Sequence, residues 1–330
     1  MRYRLRCLLI LAAVLALVLP AAPSQAQPWP QRPVKFLVTL GPGSGVDIGT
    51  RLLADRLSKH WGQPVVVENR PGGDGLVAIS AMVSAHDDHV LLASPTSSFT
   101  AHPFVYKNLP YRPDDLQPIA RVSNTIIVIA VPADLPVQSL ADFVTLARTQ
   151  PGKLNWAGTT GALDFLVAGF LHNAGLSLSK VPYRNQVEAA NDLAAGRIQL
   201  NETAYAIVRP QLQAGKVKLL ALTNSVRAPV MPDLPTAVEA GYPDLALDGL
   251  VGFFGPPEMP LALRNRIAAD VGEVGADPAI ATRLNDTGQL PNFGGPAEFQ
   301  AAIDLQRARV AAAAKQLGGL TGGMKIPGLM

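Results

Sequence analysis

Sulfur chemistry is the first thing this 330-residue chain does without: its one cysteine is Cys7. Past residue 7 there is no disulfide partner, no thiolate metal ligand and no thiol nucleophile. Charge is sparse as well, at 16 % of residues, and aromatics supply only 6 %. The formal net charge of +3 comes from one segment, because residues 1–26 carry Arg2, Arg4 and Arg6 and no acidic residue. With those three set aside, 25 basic residues face 25 acidic ones. A neutral remainder has no field to draw nucleic acid or an anionic membrane surface. Low-complexity tracts and short-period repeats are missing too.

What is present begins with a processing signal. The three arginines precede an apolar run from Cys7 to Leu19, followed by Pro20 and small residues up to Ser24-Gln25-Ala26. This is the order of a secretory signal peptide with an apolar core too short for a membrane span, and cleavage is expected near Ala26. A periplasmic location follows as an expectation. About 300 residues remain, enough to bury the cores of two domains.

The remaining chain is organised around residues 36–51. A β-type apolar run ends in Gly41-Pro42-Gly43-Ser44-Gly45, and an amphipathic stretch starts at once. A strand, a glycine-rich turn and a helix start leave backbone N–H groups without intrahelical partners, aimed into one concavity that suits an oxygen anion. Glycine lets the backbone approach a ligand, and Ser44 adds a hydroxyl. The same stretch resembles a dinucleotide fingerprint, with Glu68 at the end of the next strand, but the third small residue of G-x-G-x-x-G falls on Val46. A plain glycine-rich turn is the third reading.

Strands are expected over 34–40, 64–68 and 89–93, with helices over 48–60 and 76–84 between them. This alternation implies βαβ units and a mostly parallel sheet, whose ligand loops gather beyond the strand ends at 41–47, 69–75 and 94–99. The apolar stretch Ile126–Val131 reads as a strand crossing into a second α/β region. There helices are expected at 139–149, 164–173 and 186–195, and strands at 154–157, 180–183, 197–203 and 217–223. A return strand over 247–255 and helices at 260–274, 278–285 and 296–316 complete the chain. The expected fold class is α/β: a two-lobed clamshell, each lobe a mostly parallel sheet flanked by helices, with hinge closure over a ligand. The boundaries are 1–26 for the signal peptide, 27–129 and 248–330 for the first lobe, and 130–247 for the second.

Several segments carry a family resemblance. They are Pro42-Gly43-Ser44 with Asp47 and Arg51, the run Glu68-Asn-Arg-Pro-Gly-Gly73, Pro151-Gly-Lys-Leu154, and Val181-Pro-Tyr-Arg184. Ala214-Gly-Lys216, Pro232-Asp-Leu-Pro-Thr236 and Glu239-Ala-Gly241 follow in order. From about Pro30 to Leu317 the chain resembles the substrate receptors of tripartite tricarboxylate transporters, the Bug or TctC-like periplasmic binding proteins. The resemblance implies a type II periplasmic-binding-protein fold holding a small organic anion between its lobes. It also implies that the first loop and a Gly/Ser-rich loop of the second lobe grip a carboxylate through backbone N–H groups, small hydroxyls and water.

The chain departs from that family in its second loop, Trp156–Leu163, which is about two residues short. Asp164 stands where the family has histidine, Gln199 where it has a strand aspartate, and Glu202 where it has a large apolar residue. Asp164 is read either as a helix N-cap or as a cleft residue that disfavours a second carboxylate. Expected ligand contacts are Leu40, Gly41, Pro42, Gly43, Ser44, Gly45, Asp47, Thr96, Ser97, Gly158, Thr159, Thr160, Gly161, Asp164, Tyr183, Glu202 and Thr203.

Other constellations yield to plainer readings. His86-Asp87-Asp88-His89 has a metal-like composition but reads as a solvated turn. Ser44 lacks the G-x-S-x-G elbow because residue 42 is proline. Trp156 and Phe99 read as core. No catalytic residue, cofactor or metal is expected. The implied protein is a monomeric receptor whose partners are a small organic acid and the permease subunits of a tripartite transporter, with no nucleic acid. A sensory receptor for a two-component system and an α/β nucleotide-using enzyme are the alternatives.

Overall fold

The computed structural model describes residues 29–158, 161–183 and 185–320, and every element below belongs to the unit that starts at Arg32. Strand β1 (Val34–Val38) is buried except at half-buried Lys35. Helix α1 (Gly45–Trp61) starts three residues before the expected position because Ser44 caps it, its Oγ accepting from the Asp47 N–H at 3.2 Å; left-handed Gly62 ends it. Val46, Thr50, Leu53 and Leu57 recur every three or four residues and form its buried stripe. With β2 (Val65–Asn69), α2 (Leu76–Ala85) and β3 (Val90–Pro95) this makes two βαβ units in which β1 pairs in parallel with β2 and β3. Helix α3 (Thr96–Val105) leaves β3 directly.

Three further strands, β4 (Gln117–Thr125), β10 (Gly249–Gly255) and β11 (Gln289–Gly294), complete a six-stranded sheet in the order β11-β4-β10-β3-β1-β2. These three pair only antiparallel, so the sheet is mixed and its parallel pairs are confined to β1–β3. The cause is the crossing itself: β4 leaves the sheet for the second lobe and β10 returns beside it, so the two run in opposite directions.

Only Ile126 separates β4 from β5 (Ile127–Pro132), which pairs antiparallel with β8 (Asn201–Ala204) and β9 (Val217–Leu222) in a second sheet. Beside it β6 (Asn155–Gly158) and β7 (Ser179–Pro182) form a parallel pair. The helices of this lobe are α4 (Leu140–Thr149), α5 (Ala162–Asn173), α6 (Gln186–Ala194) and α7 (Tyr205–Gln213). The two crossing segments lie together. Buried Asn224 donates from Nδ2 to the Thr125 carbonyl and accepts from the Ile127 N–H, each at 2.9 Å, bracketing Ile126. Gly249 crosses Thr125 so closely that a Cβ there would meet the Thr125 carbonyl at 2.6 Å.

Helices α8 (Leu261–Gly275), α9 (Pro278–Asp286) and α10 (Pro296–Leu320) follow. The first lobe packs Leu37, Ile79, Leu92, Phe99, Phe254 and Phe299 together, and the second packs Phe143, Trp156, Val167 and Phe170. Phe99 and Trp156 are thus core residues, 3 % and 5 % exposed. The later turns of α10 pack on α3 and α5 through Val310, Ala313 and Leu317, so the last helix touches both lobes.

Candidate functional site

Four helices begin where strands of the two lobes end: α1 after β1, α3 after β3, α5 after β6 and α7 after β8. Their starts are physically linked. Beyond the Val38–Ala93 pair, Thr39 Oγ1 donates to Ser94 Oγ at 3.1 Å, which ties the β1 and β3 exits together. Gly161, the N-cap of α5, has φ 76°, and a Cβ there would stand 2.8 Å from the Ser97 carbonyl in the first turn of α3. On the opposite flank Gly288 lies against Tyr205 and Ala206 at the start of α7, while the Gln289 amide would meet a Cβ at Gly45 at 2.6 Å. A helix N-terminus carries unpaired N–H groups and about half a positive charge, so four together make a region of positive potential built without cationic side chains.

The first loop is braced from inside. Asp47, 3 % exposed, accepts from the Gly43 N–H and from Asn69 Nδ2 and Arg51 Nε, each at 2.9 Å. The Asn69 amide also donates to the Leu40 carbonyl, and Arg51 to the Asn69 side-chain oxygen. Asp47 therefore shapes the turn and is not aimed at a ligand. The donors expected across Pro42–Gly45 are narrowed accordingly. Pro42 has no N–H, that of Gly43 goes to Asp47, and that of Ser44 goes to the Gly41 carbonyl at 3.3 Å. The amides of Gly41, Gly45 and Val46 have no partner among the described residues. Val46 was not among the expected contacts because its apolar side chain drew attention away from its amide.

In the second lobe the stem of Lys180 lies across Gly158, where any Cβ would overlap it. Its Nζ donates to Asp164 Oδ2 at 2.7 Å and sits 5.6 Å from the Trp156 ring centroid. Asp164 is 3 % exposed and occupies the first turn of α5, but the N-cap position is Gly161. Lys180 offsets the repulsion that Asp164 would exert on a second carboxylate. Glu202 is 2 % exposed and neither of its carboxyl oxygens has a hydrogen-bond partner among the described residues. Burial, with Asp164 beside it, raises its pKa well above the usual carboxylate range.

Three expected contacts have their side chains committed elsewhere. Thr96 is fully buried and its hydroxyl donates to Gln306 Oε1 at 2.6 Å, into the packing against α10. Thr203 donates to Gln186 Oε1 at 2.9 Å. Tyr183 donates to Asp192 Oδ2 at 2.6 Å, and its pKa rises to about 12 through burial and that carboxylate. Ser97 is half-buried at the contact with Gly161. Thr159 and Thr160 lie outside the described residues, as does Arg184. Lys180 and Gln289 were not expected at the site. A lysine in a short strand is a signal, but nothing local pairs it with an aspartate 16 residues earlier.

The histidine-rich turn is held by other partners. Asp87 accepts from both terminal nitrogens of Arg32, His89 Nδ1 is 2.6 Å from Asp88, and His86 Nδ1 is 2.9 Å from Glu258. Asp87, Asp88 and His89 stand close enough to share an ion, but Asp87 is already paired with Arg32 and the His89 ring with Asp88. Among the described residues no helix is long and apolar enough to cross a membrane.

Comparison with known proteins agrees with this architecture. The family model described as tripartite tricarboxylate transporter family receptor, TctC, matches residues 50–318. A UPF0065 protein of Bordetella bronchiseptica is 33 % identical over 304 residues, which is 92 % of this chain and 90 % of its own. Two solved structures from Rhodopseudomonas palustris are similar throughout. The one solved with adipate has a TM-score of 0.75 at 27 % identity, covering 87 % of this chain and 99 % of its own. MatC with bound malate has a TM-score of 0.74 at 25 % identity, covering 87 % and 100 %. Receptors of this family are periplasmic, and their fold is that of solute-binding proteins. With a family match across most of its length and the fold in common, the chain belongs to the tripartite tricarboxylate transporter family receptors.

Proposed function

We propose that the protein captures one small organic carboxylate between its two lobes in the periplasm and delivers it to the permease subunits of a tripartite transporter. The observation that carries this reading is the meeting of four helix N-termini, two from each lobe, around the amides of Gly41, Gly45 and Val46, which have no partner among the described residues. Backbone donors in that setting hold a carboxylate by charge-assisted hydrogen bonds. The similarity to proteins solved with adipate and with malate supports the same ligand class. Gly158 and Gly161 supply the opposing wall, and closure about the segment at Ile126 and Asn224 completes the grip. The protein acts as a monomer and as a receptor, not an enzyme: its family and fold are those of solute-binding proteins, and the Ser44 hydroxyl accepts from the Asp47 N–H as a helix cap. Export proceeds through the leader ending near Ala26.

Thermal-shift screening of the mature protein against monocarboxylates, dicarboxylates, amino acids and aromatic acids tests the proposal. At a hundred times its Kd a true ligand stabilises by about 2.7 kcal/mol. Stabilisation by at least one acid is expected. Stabilisation by NAD with none by any acid would overturn the reading in favour of a nucleotide site.

A further inference from the structure

The second-lobe wall holds a buried acceptor that the carboxylate grip does not use. Asp164 and Glu202 are both almost fully buried, and Lys180 is bonded to Asp164. Glu202 faces Asp164 from α5, and through it Lys180 from β7; among the described residues no other charged group acts on it. Its two oxygens make no hydrogen bond there, although such buried groups rarely go without one. Glu202 lies three residues ahead of the start of α7, and Asp164 in the first turn of α5. Both residues therefore sit close to the second-lobe helix starts that border the candidate site.

We propose that Glu202 is the acceptor for a protonated amine carried by the ligand, which makes the bound class an amino acid, not a simple acid. This rests on the carboxylate-receptor reading and narrows it: the helix N-termini take the carboxylate and Glu202 takes the ammonium. In the empty site a proton on Glu202 keeps it from facing Asp164 as a second bare charge, consistent with its raised pKa. On binding, that proton leaves to solvent and the ligand's ammonium takes its place beside Glu202. The gain lies in satisfying a buried acceptor that is otherwise orphaned.

Calorimetry with matched pairs tests this: L-aspartate against succinate, L-glutamate against glutarate, L-alanine against propionate and 4-aminobutanoate against butanoate. In at least one pair the amine-bearing member is expected to bind about tenfold or more tightly, the scale of one hydrogen bond to a charged group. Titration of the same ligand in Tris and in phosphate at neutral pH should report net proton release on binding, as the linkage of binding to a group protonated in the free site requires. Glu202→Gln keeps the side chain's size, removes its charge, and should bring the pair to within about threefold. If simple acids bind and the amine adds nothing, or no proton is released from the unaltered protein, the inference is overturned and the carboxylate receptor stands. If neither simple acids nor amino acids bind, both readings fall.

Discussion

Two buried residues in the first lobe show how single side chains set this fold's behaviour. Asp47 takes a backbone amide, a side-chain amide and a guanidinium, and so converts a flexible glycine turn into a fixed one. His102 does something similar below α3: Nε2 lies 3.0 Å from the Asp74 carbonyl and Nδ1 2.7 Å from the Tyr111 hydroxyl. A carbonyl can only accept, so Nε2 carries the proton, Nδ1 accepts from Tyr111, and the imidazole is neutral. Burial lowers its pKa from 6.5 to about 4. Between these two values the unfolded chain binds the extra proton and the folded chain does not. The stabilising contribution is therefore complete above about pH 6.5 and is lost toward pH 4, by about 3 kcal/mol in all. Denaturant titrations across that window should show stability rising with pH more steeply in the unaltered protein than in His102→Gln. Equal slopes would contradict the assignment.

Glycines at element junctions separate two kinds of cost. Gly161 has φ 76° and a carbonyl 2.8 Å from where a Cβ would sit, whereas Gly152 has φ 73° and open space. Gly152→Ala should cost about 1 kcal/mol, the usual penalty for a left-handed alanine. Gly161→Ala should cost about 2–3 kcal/mol, because the α3–α5 contact must also spread, and it should weaken carboxylate binding. Urea midpoints compare them directly, and equal losses would mean that α3 and α5 do not meet as described. The turn at 41–45 and the βαβ rhythm were legible because both are written in local residue order. Helices α3 and α7 were not, since Pro103 and Pro210 sit inside them, and Pro118 and Pro291 disguise β4 and β11 in the same way. The site was legible as loops but not as partnerships. That Asp47 uses the Gly43 amide, that Lys180 answers Asp164, and that Glu202 has no answer among the described residues are facts of tertiary packing.

For the molecule as a whole, the two lobes are joined by the Ile126 crossing that Asn224 brackets, by the return strand at Gly249 and by α10 lying on both sides, and they also touch at the helix starts, Gly161 on Ser97 and Gly288 on Tyr205. Such a frame permits closure while keeping the four helix N-termini aligned on one ligand. A crystal structure of the mature protein with the acid that gives the largest thermal shift tests this most directly. The account predicts carboxylate oxygens within hydrogen-bonding distance, about 3 Å, of the Gly45 and Val46 amides and of the first turn of α3 or α5. An acid bound elsewhere, for instance in the groove lined by Arg32, His86 and Glu258, with the helix N-termini empty, would contradict it.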